Sequence, residues 1–378
     1  MTARRVVVAP DSFKGSIGAA AVAEALAEGW RAFDPDAELV LRPVADGGEG
    51  TLDAFAAAVP GARRIPVAVP PPDGRGPRVD AHWLLLPATR DAPAGTGVVE
   101  LASTCGIELL GAHRDPWHAS TEGFGVAIAD ALGAGVSRLV LAIGSSASTD
   151  GGAGMLHALG ARFLSADGRS LGRLDAAALR ELADVDLSGL RPPPPGGAIV
   201  LSDVTAPLTG PEGAAAVFGP QKGFAPQEVA EADALLRRYA GLFEVSAAAP
   251  GAGAAGGTGF GLMAWGARLT PGAAEIAALV GLPDEVTAAS VVITGEGAYD
   301  GQSATGKAPA HVAGLAAAAG TPAALVAGRI DPGAELGGFA VSVSLTELAG
   351  SAVAALADPA RWLRVAGGEL ARRFDARG

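Results

Sequence analysis

Asparagine is absent from the chain, and only three of its 28 basic residues are lysine. A single cysteine, Cys105, excludes an intrachain disulfide framework and matches the usage of a reducing cytosol, so the cytoplasm is the expected location. Basic residues are too few to balance 40 acids, which leaves a net charge of −12. Such a surface repels phosphate polymers on average. That argues against nucleic acid or an anionic membrane as partner, while leaving room for one small anion in a locally positive cleft. Long hydrophobic runs are missing as well. The opening MTARRVVVAPD has a basic start, but its short apolar run stops at Asp11. The uncharged stretches 245–267 and 312–328 are broken by Gly and Pro and read as packed helices and loops. Five scattered histidines show no metal-ligand spacing, which argues against zinc. Ser103 and Cys105 lie in no nucleophile motif, and Cys105 reads as a small buried residue.

What is present is an α/β grammar. At 378 residues, 49% of them apolar, the chain is long enough for two domains with buried cores. RRVVVAP reads as a buried strand entering the loop DSFKGS, followed by a helix with Val22, Leu26, Trp30 and Phe33 on one stripe. ELVLRPV is a second strand ending in ADGGEG, and the next helix carries Leu52, Phe55 and Val59. SVVITGEG, AALVAGRI and FAVSVSL repeat the pattern near the C-terminus, with the first strand ending at Thr294. The middle holds further strands, LVLAIGSS and AIVLSDV, and the exposed connections PVAVPPPDGRGP and RPPPPGG. The expected fold is α/β with two domains. Residues 1–66 and 288–378 would form a Rossmann-like, doubly wound parallel-sheet domain, and residues 67–287 an inserted second α/β domain, with the active-site cleft between them. In open α/β sheets ligands sit beyond the carboxyl ends of the strands, and the loops at those ends are the ones rich in acids, glycines and hydroxyls.

The lysines sharpen this. The chain has the composition of one in which arginine has replaced lysine wherever a guanidinium serves equally well. The survivors Lys14, Lys222 and Lys307 all sit beside glycine and read as loop residues. A compact ammonium fits where an arginine fork would clash, typically against a phosphate oxygen. GQSATGKAP, 301–309, spells most of a nucleotide-binding P-loop, but GEGAYD intervenes after the strand and Ala308 replaces the hydroxyl that would hold Mg²⁺. The match is therefore accidental as a P-loop, although Gly306-Lys307 before Pro309 still makes a helix start able to take an anion. Seven acids fall in strand-end loops: Asp11, Asp46, Glu49, Asp150, Asp203, Glu296 and Asp300. Singly each could cap a helix or form a turn; together with the lysines they point to a ligand site, such as phosphoryl transfer uses to neutralise charge, usually with Mg²⁺, and to orient a hydroxyl. GSSASTDGGAGMLHALG either offers backbone N–H groups to an anion or makes a tight strand-to-helix turn; both readings stand.

These loops resemble the bacterial type I family of ATP-dependent glycerate kinases. The likeness runs in order through APDSFKGS (9–16), PVADGGEGT (43–51), GSSASTDGGAGMLHALG (144–160), SDVTAPLTGPEGAAAVFGPQKG (202–223), PGAGAAGGTGFGL (250–262) and TGEGAYDGQSATGKAP (294–309). It departs from the family pattern at Ser145 for glycine, at Ser148 and Thr149 for Thr and Asn, at Ala206 for Asn, and at Ala298 for Arg. The resemblance implies transfer of the γ-phosphate of ATP to D-glycerate, with Mg²⁺, giving 2-phosphoglycerate in preference to 3-phosphoglycerate. Lys14 and Lys307 would then neutralise phosphate or the substrate carboxylate, and Asp11 or Asp300 would orient the attacking hydroxyl. Asp46 and Glu49, or Asp203, would hold Mg²⁺. Ser12, Gly47, Gly48, Ser145, Ser146, Asp150, Gly151, Lys222, Glu296 and Gln302 would line the substrate and phosphates. D-glycerate and the nucleotide are the expected partners, and a homodimer is one expected assembly. A kinase for another small hydroxy acid or polyol, and a non-catalytic metabolite-binding protein on the same fold, remain the alternatives.

Overall fold

Short β-branched runs alternate with Ala-rich helical segments along the chain, and the computed structural model, which describes residues 4–13, 15–45, 47–300 and 308–376, assembles them into two units. The strands in chain order are β1 Arg5–Val8, β2 Glu38–Leu41, β3 Arg63–Val69, β4 Val79–Leu86, β5 Thr96–Glu100, β6 Arg138–Ala142, β7 Arg162–Ser165, β8 Leu182–Asp186, β9 Ala198–Leu201, β10 Arg268–Thr270, β11 Val291–Tyr299, β12 Ala323–Ile330 and β13 Val341–Ser344.

The first unit comprises 1–46, 53–60 and 271–378. Its sheet has the order β13-β12-β11-β1-β2, parallel throughout. Val6, Val8, Val291 and Ile293 share a core with Val22, Leu26 and Trp30 of the helix Ala19–Phe33 and with Leu363 and Leu370 of the helix Pro359–Asp375. Val7 and Val292, which alternate with them, are just as buried, so both faces of the sheet are covered. Phe33, expected on the apolar stripe, is instead 41% exposed as the last residue of the helix, whereas Trp30 one turn earlier is buried against Phe374. β11 does not stop at Thr294: GEGAY continues it, in register with β12 up to Tyr299↔Ile330. Glycine makes the continuation feasible, since a Cβ at Gly295 would fall 2.1 Å from Val326 O.

The second unit comprises 47–52 and 61–270. Its sheet runs β10-β9-β6-β5-β4-β3 and is mixed: β5, β6, β9 and β10 are parallel, whereas β3–β4 and β4–β5 are antiparallel. PVAV, expected as part of a connection, is the end of β3, and pairing with β4 draws it into this sheet. RPPPPGG does form the connection between β8 and β9. The core centres on Trp83, Phe124, Ile128, Leu139, Phe163, Tyr239 and Phe260. The unit limits at residues 60–61 and 270–271 differ from the expected 66–67 and 287–288. The helices Gly272–Leu279 and Leu282–Thr287 pack on the helix Ala308–Ala319 of the first unit. Glu285 ties its helix there: its carboxylate accepts from Arg42 at 2.7 Å and from Arg5 at 2.5 Å.

Candidate active site

Each unit gathers acids and hydroxyls at the carboxyl ends of its parallel strands. In the first unit the chain leaves β1 with Asp11 N donating to Gly295 O at 2.8 Å, so Asp11 lies beside the extended part of β11. Asp11 is 7% exposed and its Oδ1 accepts from Ser12 N at 2.6 Å. Glu296, 8% exposed, stands on the neighbouring strand, and Asp300 follows β11 directly. Burial and the nearby Glu296 charge push the Tyr299 phenol upward. Two nearly buried carboxylates therefore stand on neighbouring segments at this end of the sheet. Lys14, Asp46, Gln302 and Lys307 lie outside the described residues.

In the second unit three loops meet. Gly144, past the end of β6, donates its N–H to Gly47 O at 2.9 Å. Gly47 itself rests on the end of β9, where a Cβ added to it would fall 2.6 Å from Leu201 O. Residues 47–50, 143–150 and 202–205 are therefore neighbours, at the carboxyl ends of the adjacent strands β6 and β9. Glu49, Ser145 and Asp203 are exposed there, and Gly48 is half-buried. Glu100, at the end of β5, was not anticipated: it is 5% exposed, and its Oε1 accepts from Leu52 N at 3.3 Å. A carboxylate at the last position of an apolar strand, in VVELAS, was the available signal.

Ser145 adopts φ 60, one of two positive-φ residues other than glycine among the described residues, the other being Ala255. The family glycine that it replaces suits that conformation better.

Several residues expected to line the ligand are buried in this structure, among them Ser146, Asp150, Gly151 and Lys222. Asp150 is fully buried, and its carboxylate accepts from Thr121 N (2.9 Å), Thr121 Oγ1 (2.8 Å), Gly152 N (3.1 Å) and Gly154 N (3.2 Å). Burial pushes its titration up, while these four donors pull it down. It brackets the starts of the helices Glu122–Gly133 and Ala153–Ala158, which is a structural task. Gly151, at φ 67, gives its N–H to Gly256 O at 3.1 Å and packs on the Tyr239 ring, so the tight-turn reading of GSSASTDGGAG holds at this end of the motif. Lys222 is not a loop residue. It ends the helix Ala214–Lys222, is 4% exposed, and donates to Ser146 Oγ at 2.7 Å and Ser148 O at 2.6 Å. Burial drives its ammonium down to about 7, opposed by the charges of Asp150 and Cys105. Cys105 is buried as expected, its thiol pushed up to about 12 by burial.

Among the described residues no group of three or more His, Cys, Asp or Glu could enclose a metal, and no helix is long and apolar enough to cross a membrane. The exposed oxygen donors Glu49 and Asp203, on neighbouring loops, suit a hard cation that takes one or two carboxylates and completes its shell with phosphate and water. They do not suit a cation that needs a full protein cage.

The model of the glycerate kinase family matches residues 6–375. The chain is 40% identical over 334 residues to glycerate 2-kinase of Escherichia coli (strain K12), covering 86% of this chain and 85% of that one. It is 40% identical over 338 residues to glycerate kinase of Halalkalibacterium halodurans, covering 87% of each. A crystal structure of a candidate glycerate kinase 2 from Salmonella typhimurium LT2 superposes with a TM-score of 0.83 at 36% identity over 99% of both chains.

Proposed function

The chain belongs to the glycerate kinase family, and on that footing we propose that it transfers the γ-phosphate of ATP to a hydroxyl of D-glycerate, giving ADP and phosphoglycerate, with the 2-phosphate as product in preference to the 3-phosphate. The observation that carries the reading is the extent of the match, nearly the whole chain from 6 to 375. The geometry of the strand ends supports it. Phosphoryl transfer asks a protein mainly to position its reactants and neutralise developing charge. Glu49 and Asp203 are the described residues that would hold Mg²⁺, with Asp46 beside Glu49 in sequence. Bound there, Mg²⁺ would neutralise phosphate oxygens.

Asp11 would accept the proton of the attacking hydroxyl. Its low exposure and fixed backbone favour a carboxylate held in one orientation. Asp300 is the second candidate for that role. Lys14 and Lys307 would compensate phosphate or substrate carboxylate charge, and the exposed Ser145 with Gly47 and Gly48 would border the ligand.

Phosphorus NMR of the product made from D-glycerate and ATP tests the regiochemistry. A resonance coupled to the C2 proton is expected; one coupled to the C3 protons would assign the other hydroxyl. A second reading, a kinase for a different small hydroxy acid, is favoured by Ala298, where the family pattern has Arg. A guanidinium on the strand opposite, Arg329, is its Cα partner in the sheet. Equal or higher kcat/KM with another hydroxy acid would favour that reading.

A further inference from the structure

The loop 144–149 is held from two sides in alternation. Ile107 N donates to Ser145 O at 2.8 Å and Ala147 N donates to Cys105 O at 3.2 Å, so residues 145 and 147 are fixed to the segment after β5. Residues 146 and 148 are fixed by one side chain, Lys222, through Ser146 Oγ and Ser148 O. The exposed side of the loop carries Ser145 and abuts Gly47, while the lysine lies beneath it, closed off from solvent. Gly256 forms the floor: a Cβ there would stand 2.8 Å from the lysine nitrogen and 2.0 Å from Ser148 O. A guanidinium fork would not fit in that space, which explains a lysine at this position in a chain that otherwise uses arginine. Asp150 and Cys105 are the titratable groups that face it, and burial already favours its neutral form. A buried amine is sustained only by the hydrogen bonds it makes, and both of these end on the loop.

We infer that Lys222 is a positioning residue: it fixes the loop 144–149 in the shape that presents Ser145 to the ligand, acting through Ser146 and Ser148 and touching no substrate atom. This rests on the kinase reading above. Burying the lysine beneath the loop and leaving Ser145 on its exposed side separates the group that sets the shape from the surface that meets the ligand.

A double-mutant cycle on kcat/KM, paired with amide hydrogen exchange, tests it. Lys222→Met keeps the length and removes the donor. We expect a loss of about a hundredfold in Lys222→Met, a smaller loss in Ser146→Ala, and a double variant within about threefold of Lys222→Met alone, because both substitutions break one linkage. Exchange at the Ala147 and Ile107 amides should quicken in both single variants. Losses that multiply, kcat/KM equal to wild type, or unaltered exchange at Ala147 would overturn the inference. Should Lys222→Met not fold, Ser146 decides: Ser146→Thr, which keeps the hydroxyl, should restore what Ser146→Ala loses, and an Ala variant as active as wild type would refute the linkage. Wild-type protein that fails to phosphorylate D-glycerate would defeat the kinase reading, while the exchange data would still decide whether Lys222 holds the loop.

Discussion

Substituting Gly256 by Ala puts a methyl group into a tightly packed point of the second unit. The new Cβ would lie 2.0 Å from Ser148 O and 2.8 Å from Lys222 Nζ, on a backbone held at φ +67. A residue other than glycine in that conformation costs about 1–2 kcal/mol, and forced overpacking adds about 1–3 kcal/mol. The stiffer unfolded chain returns somewhat less than about 1 kcal/mol. The net loss is about 1–4 kcal/mol, which for a unit of this size lowers the melting temperature by about 2–16 °C. Scanning calorimetry measures it. Ala255 supplies the control, because it occupies the same left-handed region at φ 54 with a Cβ already present. Ala255→Gly should be neutral or stabilise by up to about 1 kcal/mol, the strain relieved being partly offset by unfolded-state entropy. A Gly256→Ala protein that melts within about 1 °C of wild type would show that the loop and the lysine are not packed as described.

Ser145→Gly removes the strain at φ 60 and should raise stability by up to about 1 kcal/mol, read as a higher urea midpoint at unchanged m. Glu285→Gln weakens the charge-assisted bonds from Arg5 and Arg42 and should cost about 2 kcal/mol at neutral pH. Those bonds hold Glu285 below its ordinary value of 4.5, so the difference from wild type is full above pH 4.5 and closes as the pH falls towards the folded value. A difference that persists unchanged in acid would contradict the ion-pair account. Lys222 gives the same sign of slope at higher pH, for a different reason: burial disfavours its charged form. Its folded value of about 7 lies below the ordinary 10.5, so the unfolded chain binds the extra proton between them and stability rises with pH. From pH 7 to 9 the rise is about 2 kcal/mol, and it should vanish in Lys222→Met; denaturant titrations at several pH values would show it.

The parallel strands were legible because each is a short apolar run that enters a polar, glycine-rich loop, as in RVVV before APDSFKGS. Less legible was anything set by pairing with a distant segment. PVAV reads as a proline-bounded linker until β4 pairs with it, and GEGAY reads as a loop until Val326 and its neighbours align beside it. Strand-end acids could be placed at the right end of the sheets, since that depends only on chain order. Which of them face outward could not be read, because burial is decided by other elements. Asp150 and Asp203 look alike in sequence; Thr121 and the turn at Gly152 enclose the first, while the second stays exposed. Lysine scarcity marked Lys222 as special, but its glycine neighbour suggested a loop. Gly223 is in fact the left-handed residue that ends a helix.

The most direct measurement of the central claim is ADP release by the purified protein with ATP and Mg²⁺, with and without D-glycerate and a panel of other hydroxy acids and polyols. The account predicts release that depends on D-glycerate and is highest in kcat/KM with it. Release that is independent of any acceptor, or absent with every one, would contradict it.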